Sequence, residues 1–179
     1  MLKILRDGLD RAVAQITCPA SYYRGLLDTD AIAASGFSCG GGQAIDLASS
    51  DPRVTALIVQ NSGLFADGSP RLPGMDTPKS ALAKLRMPVL YLMGGPTDIA
   101  WANGRDDFAR INSVPAVMVA LPVGHGGTYF DPHGGAAAAI ALDWLEWRLR
   151  GDKSAARSFL GDNCRLCTVP GWTIERKGF

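Results

Sequence analysis

The run Gly36-Phe37-Ser38-Cys39-Gly40 places a serine between two glycines, each two residues away. A serine hydroxyl becomes a nucleophile only where a base takes its proton and where the chain holds it clear of its neighbours. A tight strand-to-helix turn supplies the second condition, and small residues on either side are expected because the backbone passes close to itself there. The amide of Cys39, at the start of the helix, is then placed to donate to an oxyanion. Without a strand before it and a helix after it, the same run would be a glycine-rich turn that contains a serine.

A base and an acid to orient it must come from elsewhere in the chain, which has two histidines. His125 lies in Val123-Gly124-His125-Gly126-Gly127, off any apolar face and unsuited to filling a core. His133 follows Asp131-Pro132 at a helix start, where the positive helix end favours its neutral form and a surface role. His125 is therefore the expected base. Asp98, in Gly94-Gly95-Pro96-Thr97-Asp98, is the first acid after the strand ending at Met93 and is the expected third member. The same residue suits a helix N-cap, and the two roles are compatible. Asp106 and Asp107 fall about two turns into the following helix and read as a charged, solvent-facing surface.

The four cysteines are too few and too dispersed for a disulfide framework. Cys39 reads as a small apolar residue rather than a second nucleophile, since the glycine spacing centres on Ser38. Cys164-x-x-Cys167 is open to three readings. Zinc needs two further ligands, and neither Cys18 nor the histidines form a second paired motif. A redox pair belongs at the opening of a helix after a strand, whereas this one precedes Pro170-Gly171. A local disulfide between Cys164 and Cys167 is the expected state if the protein is exported, with no metal and no cofactor.

These residues need a scaffold that delivers them to one place. Leu2, Leu5, Leu9, Val13 and Ile16 recur at spacings of three and four, predicting an amphipathic helix that ends before Thr17-Cys18-Pro19. Apolar runs at 31–37, 54–59, 87–93 and 116–121 predict strands buried on both faces. Helices are expected at 40–49, at 99–111 with Trp101, Phe108 and Ile111 inward, and at about 133–150, with Gly151 as the stop. Residues 63–78, rich in glycine and proline, read as an excursion loop. Strands alternating with helices predict the α/β class: a short parallel sheet of about four strands with helices on both faces. The expected division is residues 1–151 as one domain and 152–179 as an irregular tail packed on it.

Composition sets bounds. The chain of 179 residues is 47% hydrophobic and 20% charged, which suits a folded core and excludes a disordered polar chain. Its net charge is +1 and it has no basic stripe interleaved with aromatics, so nucleic acid is not an expected partner. The longest apolar stretches are broken by Pro115 and Pro122 and are too short to span a bilayer. Charges at Lys3, Arg6, Asp7 and Asp10 interrupt the start of the chain, which does not read as a signal peptide. The compartment is left open.

A serine, then an acid, then a histidine, each at the carboxyl end of a successive parallel strand, resembles the α/β-hydrolase family. The resemblance covers Ile32 to about Gly151 and rests on Gly36-Phe37-Ser38-Cys39-Gly40, Asp98 and Gly124-His125. Within the family it is similar to small bacterial serine esterases related to dienelactone and polyester hydrolases. The resemblance implies Ser38 as nucleophile, His125 as general acid and base, Asp98 as its orienter and Cys39 as an oxyanion-hole amide. It implies a small-molecule or polymeric ester as substrate. The family carries several strands before the elbow, so the likeness is to the carboxyl-terminal part of such a hydrolase, a partial α/β-hydrolase fold. The elbow strand is then expected at a sheet edge and the oxyanion hole one donor short. An open edge on so apolar a strand implies self-association, most simply as a homodimer. The alternative is a non-catalytic remnant of that fold that binds or associates.

Overall fold

A computed structural model describes residues 2–179. The alternation predicted from periodicity is present. Strands β1 (Ile32–Phe37), β2 (Val54–Gln60), β3 (Val89–Met93) and β4 (Ala116–Ala120) run parallel, each paired with the next. Gln60 stands opposite Leu92, and Met93 opposite Ala120, so the carboxyl ends of the strands come out nearly level at one side of the sheet. Helices α1 (Leu2–Ala14), α2 (Cys39–Ser50), α3 (Trp101–Arg110) and α4 (Gly135–Arg150) fill the intervals. The molecule belongs to the α/β class.

Alternate strand residues divide between two cores, as a pleat with period two requires. Val89, Tyr91 and Met93 face a layer built from Ala44, Ile45 and Ala48 of α2 with Phe108 and Ile111 at the end of α3. Leu90 and Leu92 face the other side, against Ile140 and Trp144 of α4. All five residues of β3 and all five of β4 are buried. That is why these strands read as unbroken apolar runs rather than as an alternation.

The structure departs from the sequence pattern at several points. The tail is not irregular: after a one-turn helix α5 (Lys153–Ala156) it returns as β5 (Thr173–Lys177), antiparallel to β4, so the sheet has five strands. Glu175, Arg176 and Lys177 disguise that strand, whose apolar contact is Ile174 against the core. Phe159, Cys164 and Leu166 of the same tail are buried in the α4 layer, and Cys164 and Cys167 are joined in a disulfide. His133 lies in a separate single turn, Pro132–Gly134, and α4 begins only at Gly135. Asp107, expected in solvent, is completely buried, because Lys79, Tyr91 and the Leu64 amide surround it. Among the described residues no helix is long and apolar enough to cross a membrane.

The turn into β2 is fixed by charge. Asp51 is buried, and it accepts from Arg53 Nε at 2.9 Å, Arg53 Nη2 at 2.6 Å and the Arg53 amide at 3.1 Å. Arg53 also reaches Asp10 of α1 at 2.6 Å, docking that helix beside the strand. The guanidinium bonds hold the Asp51 carboxyl down at about 2, against an ordinary 3.8. A depressed carboxyl stabilises the fold above its unfolded value and loses that contribution as pH falls toward its folded value. Asp51→Asn is therefore expected to cost about 1.5–3 kcal/mol near neutral pH, the range for hydrogen bonds to charged groups. In urea unfolding, the gap between variant and parent should narrow as the pH is lowered from 5 to 3.

Candidate functional site

The elbow joins β1 to α2 through one residue. Ser38 has φ 51° and ψ −121°, a left-handed conformation that costs a non-glycine residue energy and persists only where its surroundings fix it. Here the Ser38 amide donates to the Gln60 carbonyl at 2.9 Å. The Ser38 carbonyl accepts from the Gly41 amide at 2.9 Å and from the Ser62 hydroxyl at 2.6 Å. A Cβ on Gly36 would overlap the Gly40 carbonyl, and one on Gly41 would overlap the Ser62 side chain. Gly40, by contrast, faces open space. The close passage that the motif implies thus constrains Gly36 and Gly41, not the second glycine of the pattern itself. Cys39 heads α2, so its amide has no acceptor within the helix.

Asp98 sits in the turn after β3 with its carboxylate fully enclosed. Its Oδ1 accepts from the Ala100 amide at 2.9 Å, and its Oδ2 from the Gly94 amide at 3.1 Å and Asn61 Nδ2 at 2.9 Å. The bond to the Ala100 amide is an Asx turn ahead of α3, whose N-cap is Ala100 with no side-chain cap bond, so Asp98 does not take the expected N-cap role. His125 lies in the loop after β4. That loop is sewn to the Asp98 turn by the Gly124 amide, which donates to the Gly94 carbonyl at 2.8 Å. Thr128 then anchors the loop to α4, accepting from the Ala137 amide at 2.9 Å.

These turns bring the three residues together. His125 Nδ1 is 2.7 Å from Asp98 Oδ1, and His125 Nε2 is 3.0 Å from Ser38 Oγ. A carboxylate only accepts, so it selects the tautomer with the proton on Nδ1 and leaves the Nε2 lone pair facing the serine. Such a relay can take the hydroxyl proton as the oxygen attacks an electrophile. His133 lies outside this group and is exposed, and Tyr23 lines a separate groove with Arg11 of α1 and Gln15 just after it.

The chain matches no family model and no curated protein. The site therefore rests on its own geometry.

Three participants carried no motif. Asn61, at the end of β2, donates to both Asp98 and the Gly124 carbonyl, the latter at 3.1 Å, and accepts from Tyr129 Oη at 2.9 Å. Burial and the Asp98 charge raise the Tyr129 phenol, keeping it a donor. Phe37 packs its ring 5.3 Å from His125 and 5.0 Å from Tyr129. The available signal was position: Asn61 closes a parallel strand at its carboxyl end, where side chains converge on ligands.

A cleft of about 410 Å³, partly open to solvent, opens beside Ser38. Phe65, Leu72 and Met75 of the excursion loop form one wall and Ile99, Ala100 and Asn103 the other. No cluster of three or more His, Cys, Asp or Glu side chains suited to a metal occurs among the described residues.

The two glycines separate the elbow's constraint from its pattern. Gly36→Ala is expected to destabilise the protein by about 3 kcal/mol or more, since the overlap is with backbone. Gly40→Ala should stay within about 1 kcal/mol of the parent. Urea unfolding of the two variants side by side checks this.

Proposed function

We propose that this protein is a serine hydrolase that cleaves carboxylic esters through an acyl-enzyme, built on the α/β-hydrolase plan. The observation that carries the reading is the continuous hydrogen-bonded line from Asp98 through His125 to Ser38 Oγ. Ser38 Oγ attacks the ester carbonyl carbon while His125 Nε2 takes its proton. The Cys39 amide, at the positive end of α2, donates to the oxyanion that forms. The carbon–oxygen bond to the alcohol then breaks, and the leaving oxygen takes the proton back from Nε2. Water, deprotonated by the same nitrogen, attacks the acyl carbon; the bond to Ser38 Oγ then breaks, Oγ takes the proton back from Nε2, and the acid leaves. Asp98 accepts the hydrogen bond from His125 Nδ1 throughout and steadies the imidazolium. The apolar wall of Phe65, Leu72 and Met75 suits the uncharged part of a small-molecule or polymeric ester.

A nitrophenyl acetate is the simplest substrate to try. Ser38→Ala should abolish its hydrolysis with the circular dichroism unchanged. His125→Ala should lower kcat by roughly three or more orders of magnitude, as when a base is lost, and His133→Ala only modestly. A fluorophosphonate probe should label the parent stoichiometrically and leave Ser38→Ala unlabelled. An unlabelled, inactive parent would mark the fold as a binding scaffold instead.

We further propose that two copies of the chain associate through β1. That strand pairs with β2 and with no other described strand, leaving a row of backbone donors and acceptors open. Ile4, Tyr22 and Leu26, exposed at 70%, 85% and 68%, add an apolar surface in the segment that leads into it. One strand beside its own copy is self-complementary under a two-fold axis. Light scattering over a dilution series should report twice the chain mass of 18.9 kDa at high concentration. A monomer throughout that series overturns the association.

A further inference from the structure

The excursion loop that forms one wall of the cleft has no regular structure of its own over residues 65–78. Fourteen residues of unsupported chain would wander, yet Met75 and Thr77 are buried and Phe65 and Leu72 line the cleft. Both ends of the loop meet on one carboxylate. The Leu64 amide, where the loop departs, donates to Asp107 Oδ2 at 2.7 Å. Lys79, directly after the loop, donates from Nζ to Asp107 Oδ1 at 2.5 Å. Asp107 has no solvent exposure, and its Oδ2 also accepts from Tyr91 Oη at 3.3 Å.

The same clamp reaches the opposite wall. Lys79 Nζ donates to the backbone carbonyl of Asn103, a cleft residue, at 3.3 Å, and lies 2.8 Å from Asp106 Oδ2. Gly63 packs so closely on Asn103 and Gly104 that a Cβ there would overlap their backbone. Leu64, Lys79 and α3 therefore hold a fixed separation as long as the buried carboxylate is in place. Without Asp107 the buried Leu64 amide loses its acceptor, and Lys79 Nζ keeps only Asp106 and the Asn103 carbonyl. The departing end of the loop then moves to find another acceptor or water, and the returning end is held by fewer bonds.

We propose that Asp107 is a positioning residue for the substrate cleft, clamping both ends of the 65–78 loop so that Phe65, Leu72 and Met75 set the size of the ester group that fits beside Ser38. The proposal rests on the hydrolase reading for its substrate, but not for the clamp. Asp107 touches no reacting atom. Its effect is on the wall, and falls on long esters more than on short ones.

Two variants and two readouts test it. Asp107→Asn removes the charge but leaves a side chain of the same shape. Lys79→Met with Asp107→Leu removes both charges, so that neither is stranded in the core if the single variant folds poorly. Limited trypsin digestion reads the loop directly at Arg71, and should cut there about tenfold faster or more in either variant. Nitrophenyl acetate and nitrophenyl octanoate read the cleft: KM for the octanoate should rise about tenfold, the scale of lost apolar pocket contacts, with kcat changed much less. Arg71 cleaved at the parent rate overturns the clamp. A released loop with the parent's ratio of octanoate to acetate kcat/KM overturns the assignment to specificity. A parent that turns over neither ester removes the hydrolase reading, while the Arg71 rates still decide the clamp.

Discussion

Everything at the candidate site depends on the burial of one carboxylate. Asp98 is closed off from solvent, and four donors converge on its two oxygens: His125 Nδ1, Asn61 Nδ2 and the amides of Gly94 and Ala100. Such a group is tolerable in a low-dielectric interior only when every lone pair is used. Satisfying it draws together the ends of β2 and β3 and the loop after β4. The imidazole that faces Ser38 is oriented as a by-product of that satisfaction. Tyr129 and Phe37 then close over the assembly from the side, one by hydrogen bond and one by ring packing.

The second buried carboxylate, Asp107, solves a different problem with the same physics. Desolvation pushes its carboxyl up to about 6 even with the Lys79 ammonium beside it. Asp98 brings loops together around a polar group at the rim of the sheet, whereas Asp107 sits behind the cleft and ties an irregular segment to a helix. The parallel sheet makes both arrangements available. Strands buried on both faces leave polar groups to their ends, so the chemistry collects at one rim while the two apolar layers hold the frame.

What could be read from the sequence was whatever is local. Ser38 announces itself through glycines two residues away, and His125 and Asp98 through glycine-flanked turns just past apolar runs. β2, β3 and β4 showed as continuous apolar stretches because their burial is nearly complete, whereas β1, expected to be buried on both faces, is a partly exposed edge strand with Ser35 and Phe37 in the open. Interactions between distant segments left no such trace. Asn61 matters because of Asp98 and Gly124, thirty-seven and sixty-three positions away. Asp107 looked like one of a pair of helix-surface acids because its partners, Leu64 and Lys79, precede it by forty-three and twenty-eight residues. The charged residues of β5 read as an irregular packed tail, since an edge strand with one apolar contact lacks the alternation of a half-buried one.

The two margins of the sheet differ in kind. β5 runs against the direction of its neighbour and carries Glu175, Arg176 and Lys177, whose side chains engage Arg105, Phe159 and Phe108 of the same molecule. Charged side chains along a margin discourage a further strand. β1 has no such guard. A molecule with two bare margins can add copies without end and grow into fibres, but this one offers a single bare margin. Any pairing through β1 uses that margin up on both copies at once, so the assembly stops at two and has no route to polymerisation through the sheet.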